Sequence, residues 1–389
     1  MRRDQGISSA WSFLLGFVLL TIIVPGVLLG PARAVRIIAS AVSSTIMQGT
    51  SPTASVKAQE HRLPMVELRM DDGQLIHDHV SYDVEVEEDQ NGIVVAHKNS
   101  TAFGPFEKIR FTTPRADLLS GMLANWIAGR IGVPVPWKDL VYLRKNGRDA
   151  GIHEVTEVVA STYEDHRNIG EAPVAVFISG TTGDPWQGAE NWDPNGADDA
   201  ARRQLNELIT LVNDTTSPPV DLRERATAVM DVEAFIRYYA ALQVLGVGEG
   251  GQVRQALVLG PRTGLFYPVL LDAPLVPEEN SGNAYQDKLE ARLMSISEHR
   301  SERDRMVREA ITELHAEGAF EQRVDELAAQ VAPSLVSVGA TRRPLFSMQD
   351  VDHSASSLQW SADALRSRVT SYWDRSLPAV AAPAIISAP

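Results

Sequence analysis

The sequence predicts a mixed α+β protein that is preceded by one transmembrane helix, and three observations lead to this prediction. Short runs between residues 65 and 111 alternate apolar and polar residues, as half-buried strands do. Beyond residue 285, apolar residues recur mostly at helical spacing. Residues 11–30 are uncharged and long enough to cross the hydrocarbon core of a bilayer.

The first 34 residues have the pattern of a signal-anchor. Arg2 and Arg3 precede the apolar run, as in the first part of an export signal. We expect a single-pass membrane anchor with the folded part outside the cytoplasm. Ala32-Arg33-Ala34 also offers a cleavage site, so a secreted product that begins after Ala34 is one alternative and a buried core helix is another. Residues 35–60, rich in Ser, Thr and Ala, predict a flexible stalk.

Composition narrows the class of partner and of chemistry. The 389 residues carry a net charge of −14, which argues against nucleic acid as a partner, because phosphate binding needs clustered Lys and Arg. The chain has no cysteine, which excludes disulfides and thiol catalysis. The Gly-rich segment 246–251 is not followed by Lys-Ser or Lys-Thr, so a Walker-type phosphate loop is disfavoured.

The segment 141–159 predicts a β-hairpin around Asn146-Gly147, since a tight primed turn needs positive φ at both central residues. Thr113-Pro114 before it has the pattern of a helix N-cap and first helical residue, so an amphipathic helix is predicted over 114–131. The remaining predicted elements are strands at 65–70, 80–86, 106–111, 173–179, 255–259 and 265–271, and helices at 205–212, 222–230, 231–245, 285–316, 320–331 and 361–377.

A polar loop over 180–199 contains Trp186 and Trp192. Exposed indoles in such a loop stack on sugar rings, and acidic neighbours bind hydroxyl groups. The alternative is a long insertion that uses its tryptophans to pack itself down. Both interpretations are open at the level of the sequence.

Several of these segments together resemble a known family. A helix, then Gly-Val-Pro-Val-Pro over 132–136, then Asn146-Gly147 and Gly-Ile-His-Glu-Val-Thr-Glu over 151–157, is similar to the spore-coat-protein-H (CotH) kinase family. His153 stands where that family usually has tyrosine, and Glu157 matches the family's glutamate. The resemblance extends over roughly 105–378. It implies a kinase-like two-lobed domain with a mainly antiparallel N-terminal sheet and a helical C-terminal part.

In domain terms we expect an N-terminal β-rich lobe over 61–172, a C-terminal lobe over 173–378 and a tail over 379–389. Within the first lobe, the resemblance places Lys108 and Arg110 on the family's basic strand. Together with Glu157, which would pair with Lys108, they become candidate cofactor-binding residues. The implied cofactors are ATP and Mg²⁺.

The second lobe carries the expected catalytic residues. The family's Asp-x-His-x-x-Asn-Asn and Trp-Asp-x-Asp stretches align with Glu249 as the first acid and with Asp272 as the retained acid. The resemblance therefore implies Glu249 and Asp272 as catalytic residues and Asp272 as the metal ligand. Two departures weaken that metal site: Arg254 falls on an asparagine and Pro274 on the second acid.

These expectations combine into two functional hypotheses. The first is a membrane-anchored extracytoplasmic CotH-kinase-like protein, either a kinase acting with ATP and Mg²⁺ on a surface or secreted protein or a degenerate kinase-like scaffold. The second is a carbohydrate-binding accessory protein of envelope or exopolysaccharide assembly, motivated by Trp186 and Trp192.

Overall fold

The computed structural model describes residues 63–89, 92–98, 103, 106–114, 119–159, 175–179, 185–216, 218–247, 253–275, 287–316, 318–339 and 355–381. All of them belong to one compact unit, residues 60–389. The predicted anchor, the cleavage site and the stalk lie outside the described residues. Among the helices that are described, none is both long and apolar enough to span a membrane.

The N-terminal part is a closed barrel of seven strands in the order β1-β2-β3-β4-β5-β7-β6. Its pairings are antiparallel except for the parallel pair β1–β6, which closes the barrel. The strands are β1 (Met65–Arg69), β2 (Gln74–His77), β3 (Val80–Asp89), β4 (Gly92–His97), β5 (Lys108–Thr112), β6 (Lys138–Lys145) and β7 (Arg148–Glu157). The predicted sheet was thus right in kind, but the sequence pattern missed β2, β4 and the closure.

Alternate residues of these strands point inward and form the barrel core, as the two-residue period of a strand requires. This core contains Val66, Leu68, Leu75, Val84, Ile93, Val95, Phe103, Ile109, Phe111, Val141, Leu143 and Val155. Closure leaves the barrel without an unpaired edge strand.

The predicted hairpin is confirmed as β6–β7. Its turn residues Asn146 and Gly147 have φ of 50° and 75°, as a primed turn requires. The Asn146 side chain also accepts a hydrogen bond of 2.7 Å from the backbone N–H of Met70. The turn is therefore held by its own conformation and by a bond to the end of β1.

A second sheet of four antiparallel strands has the order β11-β10-β8-β9. The strands are β8 (Ala175–Ser179), β9 (Trp192–Asn195), β10 (Arg254–Leu259) and β11 (Phe266–Asp272). One face packs into the main core through side chains such as Phe177, Leu257 and Leu270. The other face forms a small apolar cluster around Val176 and Val258.

Eight α-helices lie within the described ranges: α1 (Ser120–Arg130), α2 (Asp199–Asn213), α3 (Pro219–Val229), α4 (Val232–Val244), α5 (Lys288–Met294), α6 (Ser297–Ala316), α7 (Ala319–Gly339) and α8 (Ala355–Ala381). The helix predicted over 231–245 is confirmed as α4, and Asp231 caps it, since its side chain accepts a bond of 3.1 Å from the N–H of Ala234. Helix α1 begins at Ser120, so the start predicted at Pro114 was wrong.

The two tryptophans of the 185–195 segment are buried, at 0% exposure for Trp186 and 2% for Trp192. Their rings pack against each other with centroids 5.3 Å apart. Trp186 Nε1 donates to Asp287 Oδ1 at 2.7 Å, and Trp192 Nε1 donates to the Pro185 carbonyl at 2.8 Å. The indoles therefore pack this segment onto the main core, which confirms the second interpretation, and they present no stacking surface to sugars.

Candidate functional site at the junction of barrel and second sheet

Asp272 is the last residue of β11, and the ladder with β10 is irregular just before it. Leu270, two residues earlier, is 2% exposed in the main core. The backbone N–H of Leu270 donates to the Pro134 carbonyl at 3.0 Å. This bond joins the end of β11 to the extended 133–136 segment that leads into β6. The Asp272 carboxylate is thereby brought to the barrel wall.

At that wall Asp272 meets an ion pair from the hairpin. Lys138 Nζ lies 3.3 Å from Glu154 Oε2 and 3.8 Å from Asp272 Oδ1. The side chain of Lys138 is 5% exposed, that of Glu154 13% and that of Asp272 25%. One ammonium group therefore bridges two carboxylates, one from the barrel and one from the second sheet. We name these three residues the bridged triad.

The start of helix α1 leaves room for the bridged triad because residue 121 is glycine. A Cβ at Gly121 would lie 3.3 Å from Glu154 Oε1 and 3.7 Å from Lys138 Nζ. The preceding residue, Ser120, accepts a hydrogen bond of 3.2 Å from the N–H of Leu275, just beyond Asp272. The N-terminus of α1 thus contacts both the ion pair and the loop that follows β11.

Helix α8 donates hydrogen bonds to two chain segments. One is the end of α4, which precedes the Gly-rich segment, and the other is the loop that follows Asp272. Arg368 Nη2 donates to the Leu275 carbonyl at 3.2 Å. Tyr372 Oη donates to the Gln243 carbonyl at 2.7 Å, and Trp373 Nε1 donates to the Val244 carbonyl at 2.8 Å. These bonds fix the end of α4, where the chain enters the Gly-rich segment, and the loop after β11.

Lys108 and Arg110 lie on the outer wall of the barrel, on the same side as Lys138. Arg110 is paired in register with Thr156 of β7, and Thr156 with Lys138 of β6. Directly paired residues project to the same side of a sheet, and neighbouring strands are about 4.8 Å apart. The sheet therefore sets Arg110 about 10 Å from Lys138. Arg110 also contacts Asp89 at 3.2 Å.

Glu157 projects to the opposite side. It is paired with Ile109 of the barrel core, so its side chain points inward, where Oε2 accepts a bond of 3.0 Å from the N–H of Trp137. Because successive residues of a strand alternate sides, Lys108 points outward and the ion pair expected between Lys108 and Glu157 is not formed. The buried Glu157 fixes the start of β6 instead.

Glu249 lies outside the described residues. Lys138 and Glu154 were not candidates in the sequence, although the structure joins both to Asp272. Lys138 lies outside the motifs that carry the family resemblance, and Glu154 lies within the 151–157 motif at a position to which the resemblance gave no role. The register of the predicted hairpin could have indicated both residues, because it places their side chains on the outer wall of the barrel.

The residues around Asp272 do not fit a bound Mg²⁺. Mg²⁺ needs near-octahedral oxygen coordination, whereas both carboxylates here are in contact with an ammonium group. Arg254 stands directly across the ladder from Asp272. Within the described ranges, no group of three or more His, Asp or Glu side chains is placed to hold a metal ion. An ammonium group thus contacts the carboxylate that the family resemblance assigns to the metal.

A second buried acid lies away from the bridged triad. Asp287 caps helix α5 and accepts bonds from the N–H groups of Leu289 at 2.8 Å and Glu290 at 3.3 Å, as well as from Trp186. Burial raises the pKa of Asp287 from 3.8 to about 7, and these hydrogen bonds limit the rise. Its nearest titratable neighbours are Glu290 and Tyr238, both of which have raised pKa values because of burial.

One family model matches part of the chain. Residues 73–254 match the family model described as CotH kinase protein. The search of curated proteins gave no match.

Two solved structures are similar at low identity. A Helicobacter pylori proinflammatory kinase, CtkA, is 11% identical, with 76% of this chain and 97% of that chain covered and a TM-score of 0.30. The HipA, HipB and operator DNA complex from Shewanella oneidensis MR-1 is also 11% identical, with 87% of this chain and 72% of that chain covered and a TM-score of 0.32.

Proposed function

We propose, from the match of residues 73–254 to the CotH kinase protein model, that this chain is a degenerate kinase-like module that binds a nucleoside triphosphate. The nucleotide lies at the junction of barrel and second sheet. The module is anchored in the membrane and acts outside the cytoplasm, where it serves as a scaffold for a surface or secreted protein.

The observation that carries the proposal is the bridged triad. Asp272 ends a strand, where functional side chains are often found, and a nearly buried lysine of the other sheet faces it. The family uses nucleotide and metal in general, and Asp272 is the acid that this chain keeps from the family's Trp-Asp-x-Asp stretch. The junction is therefore where a kinase-like domain would bind its nucleotide.

The outer wall of the barrel supplies the groups for the phosphates. Arg110 and Lys108 project from the same wall as Lys138, with Arg110 about 10 Å from it. The Arg110–Asp89 contact is partly exposed, so a phosphate group can replace the Asp89 carboxylate at little cost. A guanidinium binds phosphate with two parallel hydrogen bonds, and lysine binds it as a point charge.

Loss of phosphoryl transfer follows from the residues beside Asp272. Pro274 provides no acid, Arg254 is paired with Asp272 in the strand register, and Lys138 offsets one of the two carboxylate charges of the bridged triad. Phosphoryl transfer depends on metal ions that stabilise the charge on the phosphate. The residues around Asp272 offer few ligands for a metal ion, so they support nucleotide binding more than catalysis.

Calorimetric titration of the full-length chain with ATP tests the proposal. Binding should be seen with wild type and should weaken at least tenfold in Arg110→Met, which removes the guanidinium from the outer wall. Arg144→Met is the matched control, because Arg144 lies near the hairpin turn, where it contacts Asp149 and the Gly147 carbonyl. Absence of ATP binding by wild type would leave a scaffold without a nucleotide and refute the proposed ligand.

The competing function is an active protein kinase that uses Glu249 and Asp272, and the retention of Asp272 beside a lysine favours it. Incubation with labelled ATP distinguishes the active kinase from the degenerate module. Phosphate transfer by wild type that is lost in Asp272→Asn would establish the kinase, whereas the degenerate module transfers none with either chain. The carbohydrate hypothesis is not proposed again, since its two indoles are buried.

The membrane anchor is tested by fractionation. The full-length chain should stay in the membrane pellet through high-salt and alkaline washes, because an apolar segment of 20 residues holds it in the bilayer. A soluble product that begins at Val35 would show cleavage after Ala34 and refute the anchor.

A further inference from the structure

We infer that Lys138 is the resident cation of the proposed nucleotide site, in the position that a divalent metal would otherwise take. Glu154 and Asp272 form a carboxylate pair that binds a divalent cation when Lys138 is replaced by a neutral residue. It follows that the ligand of the wild-type chain is a metal-free nucleoside polyphosphate. This last step rests on the proposed function, whereas the role of Lys138 does not.

Burial and distance support this role for Lys138. The ammonium group lies within 4 Å of one oxygen of each carboxylate, and its side chain is 5% exposed. A nearly buried lysine needs such partners, because an unpaired charge is costly away from water. Glycine at position 121 leaves room for both side chains, since a Cβ there would lie 3.3 Å from Glu154 Oε1 and 3.7 Å from Lys138 Nζ.

The charges around the bridged triad also oppose a metal ion. Lys138 brings one positive charge to the carboxylates of Glu154 and Asp272, and Arg254 is paired with Asp272 in the strand register. A divalent ion bound there would lie next to the ammonium group and be repelled by it. With Lys138 replaced by a neutral residue, the two carboxylates would stand close together without that counter-ion. Ca²⁺ suits such a pair, since its 2.3–2.6 Å bonds and flexible coordination tolerate irregular geometry and water ligands.

The test uses the full-length chain in detergent micelles, without nucleotide and with EDTA removed by dialysis. Thermal unfolding is measured at increasing CaCl₂ and, separately, MgCl₂. The variants are Lys138→Met, Lys138→Gln, Lys138→Arg and Lys108→Met. Lys138→Gln keeps N–H donors for both carboxylates and so guards against failure of the methionine variant to fold. Lys108→Met removes a lysine from the same barrel wall and is the matched control.

Without metal, Lys138→Met and Lys138→Gln should melt below wild type. Millimolar Ca²⁺ should then raise their melting temperatures by about 3 °C, the shift expected when the ion exceeds its Kd about tenfold. Wild type, Lys138→Arg and Lys108→Met should not respond. In Lys138→Gln/Asp272→Asn the response should vanish, which ties it to Asp272.

Two results would overturn the inference. One is stabilisation of wild type by Ca²⁺ or Mg²⁺ to the same degree as the neutral variants. The other is a folded Lys138→Gln chain that does not respond to either ion, which would reduce Lys138 to an ordinary ion-pair partner. If neither neutral variant folds, ATP titration of wild type in EDTA tests the inference instead. ATP binding in EDTA supports the inference, and ATP binding that is seen only when Mg²⁺ is added refutes it. Because the metal titrations contain no nucleotide, their outcome is separate from failure of the chain to bind ATP.

Discussion

Replacement of Asp287 by asparagine should remove a pH dependence of stability that this buried acid imposes. The folded state has a pKa of about 7 for Asp287 against the ordinary 3.8, so it holds a proton that the unfolded chain releases between these values. Stability therefore falls as pH rises from about 4 to about 7 and is level above that. One pKa unit corresponds to about 1.4 kcal/mol, so the ionised carboxylate costs the fold about 4 kcal/mol at pH 8 as an upper bound.

An asparagine amide oxygen can still accept the bonds from Trp186 and from the backbone N–H groups of Leu289 and Glu290. We therefore expect Asp287→Asn to leave the free energy of unfolding nearly unchanged at pH 4.5 and to raise it by about 2 to 4 kcal/mol at pH 8. Urea denaturation, followed by tryptophan fluorescence, measures the free energy of unfolding at each of the two pH values. The difference between these two free energies should be smaller in the variant than in wild type.

The control for this experiment is Asp231→Asn, which makes the same change at the exposed N-cap of α4. It should change stability by less than about 1 kcal/mol at either pH, since asparagine and aspartate cap helices almost equally well. The reasoning would be refuted if Asp287→Asn lowered stability at pH 8, or if its pH dependence matched that of wild type.

Three further predictions concern the hairpin, the C-terminal helix and the tryptophans. Gly147→Ala should destabilise the chain by about 1 kcal/mol in urea denaturation through its positive φ alone, because a Cβ there meets no atom within 4 Å; an unchanged midpoint would contradict this. Trp373→Phe should lower the free energy of unfolding by about 1 to 3 kcal/mol, because the Val244 carbonyl loses its buried donor. Tyr372→Phe, which removes the part-buried bond to the Gln243 carbonyl, should lower it by less, and the reverse order would contradict this prediction. Titration with oligosaccharides should not quench tryptophan fluorescence through the buried Trp186, and quenching abolished by Trp186→Phe would show otherwise.

Features specified by local chemistry could be predicted from the sequence. The β6–β7 hairpin follows from Asn146-Gly147, which accept positive φ, and the start of α4 follows from the capping carboxylate of Asp231. The end of α4 follows from Gly246, which has a φ of 72°. The mixed α+β class follows from the two periodicities. Thr113-Pro114 shows the limit of such signals, since a good capping pair there does not start the helix, which begins at Ser120.

Features that depend on distant pairing could not be predicted. Closure of the barrel joins β1 to β6 in parallel, and no local pattern records that pairing. The bridged triad likewise depends on the bond between Leu270 and the Pro134 carbonyl, which brings the end of β11 to the barrel wall. The resemblance identified Asp272 but named Lys108 and Glu157 as an ion pair, whereas strand alternation puts their side chains on opposite sides of the sheet. The assignments of Lys108, Arg110 and Asp272 to a nucleotide site stay predictions.

The dependence of ATP affinity on Mg²⁺ tests the central claim most directly. Calorimetric titration of the full-length wild-type chain is done in EDTA and again in excess Mg²⁺. Since the ammonium group of Lys138 already contacts Asp272, we predict that ATP binds in EDTA at least as tightly as with Mg²⁺. Binding that requires Mg²⁺ and disappears in Asp272→Asn would contradict the account, because Asp272 would then be acting as a metal ligand.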